Sequence, residues 1–65
     1  MAIQLKAARV NANLTQEAVA KELNISKNSV VNYERYRSKP SVELAKKFAE
    51  LYGMQVDDIM WSSGE

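Results

Sequence analysis

Asn28 and Asn32 stand four residues apart in KNSVVNYER, the stretch from Lys27 to Arg35, and each carries an amide that donates and accepts at once. That pairing matches adenine N6 and N7 at the edge of a base pair, while Lys27 can donate to guanine N7 or O6, or to a phosphate. At about 100° per residue, a helix here turns Val30 and Tyr33 to one side and fans Lys27, Asn28, Val31, Asn32 and Arg35 across the other. The major groove of B-DNA is wide enough to admit such a helix. Val31 puts an apolar side chain in the middle of the polar face, where it can touch a thymine methyl. The plain alternative is one of the isolated valines common on protein surfaces. For the two asparagines the plain alternative is a pair of solvated amides.

A face of this kind needs a second helix behind it. Residues 16–35, QEAVAKELNISKNSVVNYER, supply one: Val19 and Leu23 form an apolar stripe four residues apart, with Ala20 small enough to let a partner approach closely. Ile25 enters the core from a tight turn, and the Ser26 hydroxyl can cap the second helix by accepting from a free backbone N–H. Thr15 is placed to cap the first. Gln16 opens that first helix, where its side chain and the unpaired N–H groups of the first turn suit a phosphate oxygen, and Thr15 can reach the same or a neighbouring phosphate. Two short helices meeting at a tight turn make a helix-turn-helix.

The remaining segments are expected to complete a small bundle. Ala2 to Ala12 reads as a first helix, with Leu5, Ala8 and Ala12 on one side and Ile3, Ala7 and Val10 on another. Arg9 lies on the Leu5 side and needs a partner there, because an unpaired buried cation is costly. In the loop Tyr36 to Ser41, Pro40 restricts Lys39 to extended geometry and Ser41 can cap the next helix. That helix spans Val42 to Tyr52 with Val42, Ala45, Phe48, Ala49 and Tyr52 inward, and Gly53 suits a left-handed end. Val56 to Met60 has helical spacing and reads as a fifth, short helix. The predicted fold is all-α, a compact bundle of about five short helices over residues 1–61, with 62–65 as a flexible tail.

The stretch from Gln16 to Arg35 resembles the helix-turn-helix of lambdoid phage repressors and Cro, and of the wider Cro/C1-type (XRE-like) transcriptional regulators. The resemblance lies in the small residue at Ala20, the apolar residues at Val19, Leu23, Ile25, Val30 and Tyr33, the glutamine that opens the first helix and the glutamate near the end of the second. It implies that bases are read from Lys27, Asn28 and Asn32, and that Gln16 both holds a phosphate and braces a base-reading side chain. It implies a second phosphate track along Arg35, Arg37 and Lys39, although three cations in five residues also suit a solvated loop, or an arginine reaching a minor groove. It further implies an ion pair between Arg9 and Glu34, which fixes the recognition helix against the first helix; two exposed charges would contribute little. The family usually has glycine at the positions of Asn24 and Tyr36. Asparagine tolerates the left-handed conformation, but a bulky tyrosine avoids it. The loop is therefore expected to take another path, with the Tyr36 hydroxyl available to a phosphate.

Whole-chain properties narrow the function classes. The 65 residues contain no cysteine and no histidine, so no disulfide or thiolate metal site is expected, the commonest zinc ligand is missing, and neither metal nor cofactor is implied. A core of this size is only marginally stable alone. No run approaches the roughly 20 apolar residues of a membrane span and the first residues lack a signal-peptide core, which points to the cytoplasm, with the nucleoid when bound to DNA. The net charge is only +1, but residues 1–47 carry nine Lys/Arg against four Glu, whereas residues 48–65 carry Glu50, Asp57, Asp58 and Glu65. A basic body with an acidic end is compatible with DNA on one side. The carboxylates are scattered, with no glycine-rich phosphate loop, so an enzyme is the weakest reading.

The expectation is a sequence-specific double-stranded DNA-binding regulator, most simply a repressor that binds a palindromic operator as a homodimer, since one recognition helix contacts only a few base pairs. Ile59, Met60 and Trp61 are either a self-association patch, as phage repressors use their last helices, or the closure of the small core. The alternative function is a protein-interaction module on the same fold, such as an antitoxin or a partner of another regulator. Its mark would be a groove-facing side too acidic or too apolar for DNA.

Overall fold

Each helix is bounded by its own sequence. A computed structural model describes residues 2–63, among which lie four α-helices: α1 (Leu5–Asn11), α2 (Gln16–Leu23), α3 (Lys27–Glu34) and α4 (Val42–Tyr52). Hydroxyls start three of them. Thr15 Oγ1 accepts from the Ala18 N–H at 3.0 Å, Ser26 Oγ from Ser29 at 3.1 Å and Ser41 Oγ from Leu44 at 3.1 Å, each satisfying a donor that the helix itself leaves free. All four end on a left-handed residue: Asn13 (φ 61°), Asn24 (φ 57°), Tyr36 (φ 60°) and Gly53 (φ 68°). The following N–H then turns back onto the last turn, Leu14 to Arg9 O (3.3 Å), Ile25 to Ala20 O, Arg37 to Asn32 O and Met54 to Ala49 O (2.9 Å each). This closure caps carbonyls that would otherwise lack a partner.

Two expectations at the chain ends are corrected. The expected fifth helix is a single 3₁₀ turn over Val56–Asp58, in which the Asp58 carboxylate accepts from the Gln55 N–H at 3.3 Å. The chain then straightens into β2 (Ile59–Met60), which pairs in parallel with β1 (Ile3–Gln4) in the register Ile3 to Ile59 and Gln4 to Met60. The first helix accordingly starts at Leu5 and not at Ala2. Residues 3 and 4 find backbone partners across the sheet, and Ile59 is buried by the same pairing. Gly64 and Glu65 of the expected tail lie outside the described residues, as does Met1.

The core is a single cluster of Leu5, Ala8, Val19, Ala20, Val30, Phe48, Ala49, Tyr52 and Ile59. Phe48 sits at its centre, fully buried, with ring centroids of Tyr33 at 5.9 Å and of Tyr52 and Trp61 at 6.0 Å. The Tyr33 and Trp61 contacts are edge-on, the favoured geometry for aromatic quadrupoles. Trp61 is anchored from outside the ring cluster by its indole N–H, which donates to Val56 O at 2.9 Å. Ala8, Ala20 and Ala49 are small enough to bring helices close. Val10 and Val42, expected inward, are 53% and 73% exposed. Helical side chains lean toward the N-terminus, so Val42, the first residue of α4, projects beyond the core rather than into it.

Candidate nucleic-acid interface

Helix α3 is anchored by Val30, which is fully buried, and by Tyr33, which packs on Phe48. With those two inward, Lys27, Asn28 and Arg35 are exposed and Val31 and Asn32 are half-buried. Lys27 Nζ lies 3.5 Å from Glu17 Oε2, a contact between side chains more than half exposed and hence a weak one that a phosphate or base can displace. Nothing in the sequence spacing pairs Glu17 with Lys27, because the two sit on different helices. At the start of α2, the Thr15 hydroxyl oxygen accepts the cap bond and keeps its O–H to donate, and Gln16 is half-buried. Beyond α3, Arg37 and Lys39 are exposed.

Glu34 is the acidic residue of α3, and it faces inward. Its side chain is 4% exposed and that of Arg9 is 11%. Arg9 Nε donates to Glu34 Oε2 at 2.6 Å and Nη2 to Oε1 at 3.3 Å, while Nη1 donates to the Leu14 carbonyl at 2.9 Å. Gln16 Nε2 donates to the same Oε1 at 3.0 Å. One guanidinium thus ties α1, the α1–α2 loop and α3 together, and the Gln16 amide adds α2. A guanidinium suits this because its planar fork meets both carboxylate oxygens and still has donors to spare. The buried Tyr52 hydroxyl has no hydrogen-bond partner among the described residues. Burial pushes its phenol up beyond the ordinary tyrosine range, the Glu34 charge adds to the rise and Arg9 opposes it, so Tyr52 stays neutral under this pair.

Tyr36 corrects two expectations. It adopts the left-handed conformation (φ 60°), so the turn after α3 keeps the form that glycine would give. Its hydroxyl does not face outward for a phosphate. It accepts from the Leu5 N–H at 3.3 Å and donates to the Met60 carbonyl at 3.3 Å. Gln4, which precedes α1, makes no side-chain cap, so Tyr36 supplies from 31 residues away the acceptor that a serine or threonine supplies at the other helices. These two long-range bonds offset the strain of a bulky residue at positive φ, which is on the order of 1–2 kcal/mol. Tyr36→Phe removes both bonds and is expected to lose about 1–3 kcal/mol, at about 0.5–1.5 kcal/mol net for each, read as a lower midpoint in urea unfolding followed by Trp61 fluorescence. A midpoint equal to that of the parent would mean that both bonds are idle.

Ile59, open in the sequence between a self-association patch and the core, is 3% exposed and belongs to the core. Met60 and Trp61 remain half-buried at the edge.

A helix-turn-helix family model matches residues 5–59. The chain belongs to this family, in its Cro/C1-type branch. It is 39% identical over 56 residues to an uncharacterised HTH-type transcriptional regulator of Methanocaldococcus jannaschii, spanning 86% of this chain and 85% of that protein. A second HTH-type regulator, from Archaeoglobus fulgidus, is 32% identical over 59 residues, 91% of this chain and 83% of its own. The cryptic phage CTXphi transcriptional repressor RstR of Vibrio cholerae is 30% identical over 60 residues, covering 92% of this chain and 54% of the repressor. No solved structure matches. Helix-turn-helix regulators of this family bind double-stranded DNA. Among the described residues no helix is long and apolar enough to cross a membrane, and no three acidic residues group to hold a metal ion.

Proposed function

We propose that this helix-turn-helix protein reads a specific sequence of double-stranded DNA with α3 in the major groove, as a homodimer on a palindromic operator, and represses transcription there. The observation that carries the reading is the outward face of α3. It presents Lys27, Asn28, Val31, Asn32 and Arg35, while the acidic residue of the helix is turned in and neutralised by Arg9. In this reading Asn28 and Asn32 take adenine edges, Lys27 takes guanine or phosphate and Val31 takes a thymine methyl. Gln16, Thr15, Arg35, Arg37 and Lys39 position the domain on phosphates, which fix register without reading sequence. Two copies on half-sites roughly 34 Å apart supply the specificity that one helix lacks. The exposed parts of Met60 and Trp61 are the surface that the C-terminal segment offers for that pairing. The repressor role draws support from the Vibrio cholerae phage repressor among the relatives. Such a protein works in the cytoplasm, on the nucleoid.

The test is selection from a random duplex library, followed by binding of the winning and scrambled duplexes at two salt concentrations. A two-fold symmetric winner is expected. Asn28→Ala and Asn32→Ala should each weaken binding to it by about 1–3 kcal/mol, roughly tenfold or more, and leave scrambled DNA nearly untouched. If no sequence rises above the salt-sensitive background, the reading is wrong, and a protein partner becomes the better explanation of the fold.

A further inference from the structure

Beside the recognition helix lies a surface pocket of about 190 Å³, lined by Lys6, Gln16, Val31, Glu34 and Arg35. It joins three elements at one corner: the first turn of α1, the first residue of α2 and the last turn of α3. Lys6 has no part in the contacts described above, and its side chain is exposed. We infer that Lys6 is a further phosphate ligand of the DNA duplex, extending onto α1 the backbone contact proposed above for Gln16 and Arg35, with which it lines this pocket.

Three features support the assignment. The pocket contains two exposed cations, Lys6 and Arg35, and its single carboxylate, Glu34, already accepts from Arg9 and Gln16. The charge left over is therefore positive, and an anion is the ligand that fits. Val31 and Arg35 belong both to the pocket and to the outward face of α3. The anion must then arrive alongside a groove occupied by that helix, which a strand backbone does. Finally, Gln16 is held by its donor bond to Glu34, so the polar wall of the pocket is fixed before DNA arrives. The role of Arg9 is indirect: it neutralises Glu34, which would otherwise repel the phosphate.

This inference rests on the DNA-binding reading, and its test separates the two. Binding of a labelled duplex carrying the selected site is measured from about 50 to 200 mM salt for the parent, Lys6→Gln and Lys46→Gln. Lys46 is an exposed lysine of α4 outside the pocket and controls for loss of net charge. Lys6→Gln is expected to reduce the slope of log affinity against log salt by about 0.9, one phosphate contact, while preference among base substitutions stays unchanged; Lys46→Gln should leave the slope at the parent value. A scan of single neutral methylphosphonates then identifies the seat, as the one linkage whose neutralisation weakens the parent but not Lys6→Gln. Equal slopes for Lys6→Gln and the parent, or no linkage coupled to Lys6, overturn the phosphate seat while sequence-specific binding stands. A parent that binds no duplex specifically overturns both.

Discussion

Arg9→Met is expected to remove about 3–5 kcal/mol, the usual cost of breaking one side of a buried ion pair. The whole domain has on the order of 3–10 kcal/mol to lose, at the usual 0.05–0.15 kcal/mol per residue. The substitution leaves Glu34, 4% exposed, with a charge and only Gln16 to meet it, and it also strips a donor from the Leu14 carbonyl. The loss is a large fraction of that total and should be seen as a strongly lowered thermal midpoint by circular dichroism. Adding Glu34→Gln should recover most of the loss, because a neutral amide needs no cation and its carbonyl can still accept from Gln16. A melting temperature equal to the parent's would remove this pair from the account of how α3 is held. Failure of the double variant to recover would mean that the Leu14 contact, not the carboxylate, carries the stability.

Phe48→Ala should be comparably damaging, at about 3–5 kcal/mol for a fully buried aromatic ring. Three other rings lean on this one, Tyr33 from α3, Tyr52 from its own helix and Trp61 from the C-terminal segment. A cavity there loosens α3 and the chain end together. Near-ultraviolet circular dichroism and the cooperativity of urea unfolding are the measurements, with Phe48→Leu as the milder companion at less than about 1.5 kcal/mol. A cooperative Phe48→Ala transition close to the parent midpoint would show that the neighbouring rings collapse to fill the space.

Helices α2, α3 and α4 were legible because their signals are local. A hydroxyl stands before each, apolar spacing runs through each, and a residue fit for positive φ follows α2 and α4. The outward set on α3 follows from angle alone. The parallel pairing of Ile3 with Ile59 was not legible, since a two-residue strand has no period and its partner lies 56 residues away. The same blindness made Val56 to Met60 look helical and left Ile59 undecided between core and surface. Tyr36 misled for a different reason. Its intrinsic aversion to positive φ was the right local argument, but two hydrogen bonds to distant backbone outweigh it. Lys6 went unremarked because a single lysine on a helix surface carries no pattern; its interest comes from the corner that α1, α2 and α3 form around it.

The sheet that joins the two ends of the chain has a mechanical consequence. Because β1 and β2 run parallel, the segments before Ile3 and after Met60 leave in opposite directions along the strands. A pull between them therefore loads the pair in shear, so that its bonds share the force instead of parting one after another. Tyr36 bridges Leu5 and Met60 across the same junction and lies in the load path. Once the Trp61 anchor on Val56 and Phe48 gives way, tension on the chain is borne at the sheet and at the turn that closes α3.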